Sequence, residues 1–198
     1  MYRLIETIKL CDGIAQNLNY HNLRLNHARK ELFGLQEATD LAREIRVPDE
    51  FSKGLYKCRV IYSEEIKEIQ YEPYVIKRIK SLKIVYDNSI SYSYKFQNRD
   101  SLNQLFSLRE QADDVIIVKN EFITDSSFCN LVFENTNGLV TPSTPLLKGT
   151  KREKLLVEKN IYEKEIRIDD LKNYQYVHLI NAFLDPGDIV IKIQNILH

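Results

Sequence analysis

Lys148, Lys151 and Arg152 crowd the start of a predicted helix that opens at Gly149, the end where the backbone dipole is already positive. Each cation placed there costs roughly 0.3–1 kcal/mol at an exposed site. A bound anion reverses that sign, because the unpaired N–H groups of a helix start cradle phosphate; a solvated basic helix end is the bland alternative. Thr150-x-x-Glu153 reads as a capping box that fixes this terminus. Arg24 falls beside His21 and Ala28, close to the apolar stripe of another predicted helix. A guanidinium there meets an anion, an internal carboxylate, or water at the end of a snorkelling side chain. Lys95 ends an alternating run, and a lysine becomes nucleophilic only when burial or neighbouring cations lower its pKa; otherwise it is an ordinary solvated residue. Asp125 lies between Phe122-Ile123-Thr124 and Ser126-Ser127. It is either an Asx-turn acceptor or a carboxylate that holds a proton on a heteroaromatic nitrogen.

The elements that must position these residues follow from periodicity. Leu4, Glu6, Ile8 and Leu10 alternate before Asp12-Gly13, a strand running into a turn. From His21 to Phe33 the pattern is helical, with Leu25, Ala28 and Leu32 on one face and Gly34 at the C-terminal cap. A second helix is predicted over 37–45, ending before Pro48, and strands over 55–62, 66–71 and 81–86. Beyond Asp87-Asn88, strict alternation over 90–95 predicts a strand with Ser91, Ser93 and Lys95 on one face. A helix around Leu102, Leu105 and Leu108 follows, then strands over 115–118 and 130–133 and a tight turn at Asn137-Gly138. A helix from Thr150 to about Lys159 and strands over 163–168, 176–183 and 189–193 complete the chain. The expected fold class is α/β (α+β), with two packed lobes: a small N-terminal lobe over 1–88 and a larger one over 89–198 that carries Lys95.

Composition excludes several classes. The 198 residues hold 28 Lys+Arg against 28 Asp+Glu, a net charge of zero, which argues against nucleic acid as the main partner. No run approaches the roughly 18 apolar residues of a membrane span, and MYRLIETIKL lacks the order of a signal peptide. The three cysteines, Cys11, Cys58 and Cys129, include no C-x-x-C. Neither a disulfide framework nor a metal site is expected, and the default location is a reducing cytoplasm.

Taken in order, these segments resemble the class IV (fold type IV) pyridoxal-phosphate enzymes, which include branched-chain and D-amino acid aminotransferases and 4-amino-4-deoxychorismate lyase. Glu6-Thr-Ile-Lys-Leu with Asp12-Gly13 is similar to the family's early strand and turn. His21-Asn-Leu-Arg24-Leu25 resembles its H-x-x-R-L helix, and Lys95-Phe-Gln-Asn98-Arg99 the segment that bears the cofactor lysine. Asp125 through Asn130-Leu-Val-Phe133 resembles E-x-x-x-x-N-h-F, and Thr141-Pro142 with Leu147-Lys-Gly149-Thr150-Lys-Arg152 resembles T-P…L-P-G-h-T-R. The resemblance implies pyridoxal 5'-phosphate (PLP) as cofactor. By the same resemblance Arg24, Gly149, Thr150 and Lys151 hold the phosphate, Lys95 is the catalytic amine, Asp125 faces the ring nitrogen, Asn181 takes part in cofactor binding, and Arg59 meets a substrate carboxylate. It also implies a homodimer acting on a small-molecule substrate.

Lys95-x-x-Asn98-Arg99 and Ile180-Asn181-Ala182-Phe183 resemble the aminodeoxychorismate lyase pattern more than the branched-chain one. The implied reaction converts 4-amino-4-deoxychorismate to 4-aminobenzoate and pyruvate, on the route to folate. A class IV aminotransferase of branched-chain or D-amino acid type is the alternative. The chain departs from the pattern at Asp125, where Glu is usual, and at Lys151, where Thr is usual. It also reads as a short version that omits the family's leading segment. Those departures leave a PLP-binding protein without turnover as a further alternative.

Overall fold

The computed structural model describes residues 2–198. Contacts divide the chain into two units: the residues up to Ile76 together with Tyr94–Asn98, and Lys77–Ser93 together with Arg99–His198.

In the first unit, β1 (Leu4–Cys11) turns through Asp12-Gly13, both at positive φ, into β2 (Ile14–Ala15). Gly13 is needed there for its left-handed backbone, φ 77°. α1 (Leu18–Phe33) ends at Gly34, whose φ of 71° lets its N–H reach the carbonyls of Arg29 and Lys30. α2 is only the single turn Leu41–Glu44. The helix expected over 37–45 is shorter because Asp40 caps Ala42 N–H and thereby fixes the start four residues later than predicted. β3 (Leu55–Tyr62) and β4 (Ile66–Pro73) finish an antiparallel sheet of order β2-β1-β3-β4. Its inner face, with Leu4, Ile8, Cys58, Val60 and Tyr62, packs on Leu25 and Ala28 of α1.

The second unit contains β5 (Leu82–Tyr86), α3 (Asp100–Ser107), β6 (Asp114–Lys119), β7 (Phe122–Ser126), β8 (Asn130–Asn135) and β9 (Gly138–Pro142). α4 (Thr150–Val157), β10 (Tyr162–Lys164), β11 (Tyr176–Ile180), β12 (Val190–Lys192) and β13 (Ile196–Leu197) follow. Nine strands form one mixed sheet, ordered β10-β9-β8-β7-β6-β5-β13, with β11 pairing β8 and carrying β12. Val132, Leu155, Ile161 and Ile180 bury the inner face of α4. The long strand expected over 163–168 shrinks to Tyr162–Lys164, and a 3-10 turn over Ile168–Asn173 takes the following residues.

Two expectations about Lys95 change. Residues 90–95 form no ladder strand, so Ser91, Ser93 and Lys95 do not share a sheet face. The side chain of Asp87 instead collects the N–H groups of Ser89 (2.8 Å) and Ile90 (3.1 Å), and Lys119 Nζ donates to Ile90 O (2.6 Å), so the start of the segment is tied to side chains. Lys95 also belongs to the first unit rather than to a larger C-terminal lobe. Ile5 N donates to Lys95 O (2.9 Å) and Gln97 N to Arg3 O (2.8 Å), which fastens 95–97 along the start of β1.

Candidate active site

The first unit brings three of the expected groups onto one framework. Glu6 stands on the inner face of β1 between Leu4 and Ile8, and it is fully buried. A carboxylate in that place needs partners, because a lone buried charge is far costlier than a paired one. Both come from α1, one helical turn apart. Arg24 Nε donates to Glu6 Oε1 (2.9 Å) and Arg24 Nη2 to Oε2 (2.5 Å), a two-pronged fork, and the ring of His21 meets Oε2 through Nδ1 (2.6 Å). Burial works to raise the Glu6 pKa, but the Arg24 charge and the His21 contact override it and hold the carboxyl at about 2. His21 is pushed below its ordinary value, chiefly by burial, with the charges of Arg24 and Lys95 acting in the same direction.

Arg24 is therefore held by an internal carboxylate. Its planar head engages Glu6 along one edge, which fixes the direction in which the opposite edge can donate. Lys95, half-buried, has its main chain tied to Ile5, the residue before Glu6. One strand start thus anchors the amine and, through Glu6, the arginine. Arg59 lies on β3 opposite Thr7 of β1, on the face turned away from α1, and its Nε is buried without a hydrogen-bond partner.

The second unit carries the remaining residues. Asp125, near the end of β7, is buried and hydrogen-bonded through both oxygens: Asn130 Nδ2 donates to Oδ1 (2.7 Å) and Leu147 N to Oδ2 (3.0 Å). Burial pushes its carboxyl up to about 6, against the pull of Leu147 N–H, Asn130 and Arg152. The same Asn130 amide donates to Leu147 O (2.8 Å), so it clamps the 147 segment to the carboxylate. Gly149 is required by this clamp and not by its backbone angles (φ −75°), since a Cβ there would collide with Asn130 Oδ1. Asn130, a motif residue without a role in the sequence reading, is thus the centre of this half.

The predicted capping box is not formed. Gly149 is the N-cap, Thr150 is the first helical residue, and no side chain caps the start of α4. The cations crowded there are compensated within the unit: Lys151 Nζ pairs with Asp185, and the fully buried Arg152 meets Glu163 Oε1 (2.6 Å) and Pro142 O (2.9 Å). Their positive excess is smaller than the sequence suggested, and the backbone N–H groups of the helix start are the phosphate-type donors that remain. Asn181 holds its own turn, with Oδ1 accepting from Phe183 N (2.8 Å) and Leu184 N (3.2 Å) and Nδ2 on Cys129 Sγ (3.2 Å). That turn leads to Asp185, the partner of Lys151. The arrangement seen for Asn181 is thus a support for the helix start.

The donor sets fit PLP. Both oxygens of Asp125 accept hydrogen bonds without exhausting the carboxylate's lone pairs, and a pyridinium N–H would neutralise a carboxylate whose burial is otherwise unfavourable. The uncapped start of α4 and the oriented edge of Arg24 are donors suited to a phosphate, and Lys95 is an amine. Among the described residues no cluster of metal-binding side chains occurs, and no helix is long and apolar enough to cross a membrane.

Comparison with known proteins agrees with this donor chemistry. The family model for amino-transferase class IV matches residues 3–185. An uncharacterized protein of Haemophilus influenzae is 37% identical over 184 residues, covering 92% of this chain and 98% of its own length. The crystal structure of a candidate 4-amino-4-deoxychorismate lyase from Haemophilus somnus superposes with a TM-score of 0.86 at 35% identity, over 92% of this chain and 96% of that one. The PLP-bound form of a hypothetical aminotransferase from Mycobacterium tuberculosis shares the fold, with a TM-score of 0.77 at 19% identity over 98% of this chain and 81% of that one.

Proposed function

The chain belongs to the amino-transferase class IV family of PLP-dependent enzymes, and from that premise we propose that it is a lyase converting 4-amino-4-deoxychorismate to 4-aminobenzoate and pyruvate. The observation that carries this reading is the likeness, over nearly the full length of both chains, to the Haemophilus somnus protein described as a candidate for that activity. The Lys95-x-x-Asn98-Arg99 segment supports the same choice.

PLP, when bound, supplies an aldehyde for amines and a protonated ring that accepts the electrons of a carbanion. Lys95 Nζ is the amine that binds the aldehyde. Freed by the substrate amine, Lys95 Nζ would be the base that takes the proton from the amine-bearing carbon and the acid that returns one to the leaving enolpyruvyl group. The products together contain every atom of the substrate, so no oxidant or water is consumed, and aromatisation supplies the driving force. Asp125 would keep the proton on the ring nitrogen; in the first unit Arg24, and in the second the N–H groups of 149–151, are the donors suited to the phosphate. Arg59, with its buried Nε–H, orients a substrate carboxylate. The reaction belongs to the synthesis of 4-aminobenzoate for folate, and the acting form is a cytoplasmic homodimer.

An aminotransferase acting on branched-chain or D-amino acids uses the same lysine and is the second reading, favoured by the aminotransferase fold shared with the Mycobacterium tuberculosis protein. Purified protein supplied with PLP and 4-amino-4-deoxychorismate is expected to release 4-aminobenzoate and pyruvate in equal amounts. No release, together with amino-group transfer to 2-oxo acids, would refute the lyase reading.

A further inference from the structure

A glutamate fully buried on the apolar face of a strand is an expensive choice if stability alone is the criterion, because its charge and those of its partners must all be taken out of water. An apolar residue at position 6 would continue the run Leu4, Ile8, Leu10 without that cost. What the carboxylate does instead is orient other groups. Its two oxygens take Nε and Nη2 of Arg24 together, a geometry that leaves the guanidinium neither rotation nor tilt. Oε2 also meets Nδ1 of His21 (2.6 Å), so the same carboxylate holds the imidazole beside Arg24, where burial works against a second positive charge. The main chain of the adjoining Ile5 holds Lys95.

From this juxtaposition we propose that Glu6 is a positioning residue of the cofactor site, setting the edge of Arg24 that addresses the phosphate in register with the Lys95 amine. The proposal rests on the assignment of Arg24 and Lys95 to PLP. Glu6 touches neither cofactor nor substrate and acts only through Arg24 and His21.

The test separates the phosphate from the rest of the cofactor. Equilibrium dialysis of PLP and of pyridoxal, which lacks the phosphate, is carried out on wild type, Glu6→Gln and Arg24→Gln. Glu6→Gln is expected to weaken PLP binding about tenfold, the scale of one charge-assisted hydrogen bond, and to leave pyridoxal binding within about twofold. Arg24→Gln should show the same selective loss, and the double variant little more than either single one. Glu6→Asp, which retains a charge in the core but withdraws it by one methylene, serves the same comparison if Glu6→Gln does not fold. A ratio of PLP to pyridoxal affinity that stays at the wild-type value in the Glu6 variants overturns the proposal. So does equal loss of both ligands, which is the mark of a merely structural residue. A wild-type protein that binds neither ligand would instead defeat the PLP assignment itself.

Discussion

Adding one methyl group at Gly149 tests how the second unit is assembled. The backbone of Gly149 (φ −75°, ψ 143°) is open to any residue, and glycine-to-alanine exchange at an uncrowded N-cap costs less than about 1 kcal/mol. The cost of Gly149→Ala therefore comes from the Asn130 amide, which the new Cβ would strike at Oδ1 while lying only 3.2 Å from Cγ. The amide cannot retreat without giving up Asp125 Oδ1 (2.7 Å) or Leu147 O (2.8 Å). Loss of a hydrogen bond to a charged group is worth about 1.5–3 kcal/mol, and overpacking about 1–3 kcal/mol; partial relaxation places the combined cost near 3 kcal/mol. For a chain of this size that lowers Tm by roughly 6–12 °C. The decisive form is a double-mutant cycle in urea or heat. In an Asn130→Ala background the obstacle is gone, and Gly149→Ala should cost less than about 1 kcal/mol, a coupling of about 2 kcal/mol. Equal costs in the two backgrounds, within about 0.5 kcal/mol, would refute the reasoning that Asn130 dictates the glycine.

Two buried carboxyls give the protein without cofactor opposite pH dependences. Glu6 is held at about 2 against an ordinary 4.5, so the stability it contributes is present above pH 4.5 and lost as pH falls toward 2. That loss is up to roughly 3 kcal/mol, and urea titrations should show the acid limb flattened in Glu6→Gln; an unchanged limb contradicts the ion pair. Asp125 is raised from 3.8 to about 6, so the folded state binds its proton more tightly than the unfolded state does. Stability should fall by up to roughly 3 kcal/mol as pH rises from 4 to 6, and Asp125→Asn should remove that fall; parallel profiles for wild type and variant would count against the burial.

Much of the first unit is legible in sequence because its signals are local. The inward alternation Leu4, Glu6, Ile8, Leu10 is visible, and the helix from α1 to Gly34 carries its own stop signal. That alternation puts an acid, Glu6, on an apolar face, a signal the strand reading did not use, and its partners Arg24 and His21 are known only from tertiary packing. The strand expected over 90–95 does not form: Asp87 and Lys119 take the backbone of Ile90 at its start, and Lys95 O at its end is taken by Ile5 N–H, a long-range partner that periodicity does not encode. The charge of Lys151 and Arg152 looked uncompensated because Asp185 and Glu163 lie 34 and 11 residues away in sequence. The capping box was expected because Thr150 and Gly149 are both acceptable at an N-cap, and with Gly149 in that place there is no side chain to form it. Asn130 was visible as a motif residue, but nothing in the sequence says that Gly149 must make room for it.

The central claim is that Lys95 is the residue to which PLP attaches. Borohydride reduction of the PLP-loaded protein, followed by peptide mass mapping, reads this directly. One phosphopyridoxyl group is expected, on the peptide containing Lys95, and none on the same peptide in Lys95→Ala. A label on another lysine, or no label on protein that has bound PLP, would contradict it.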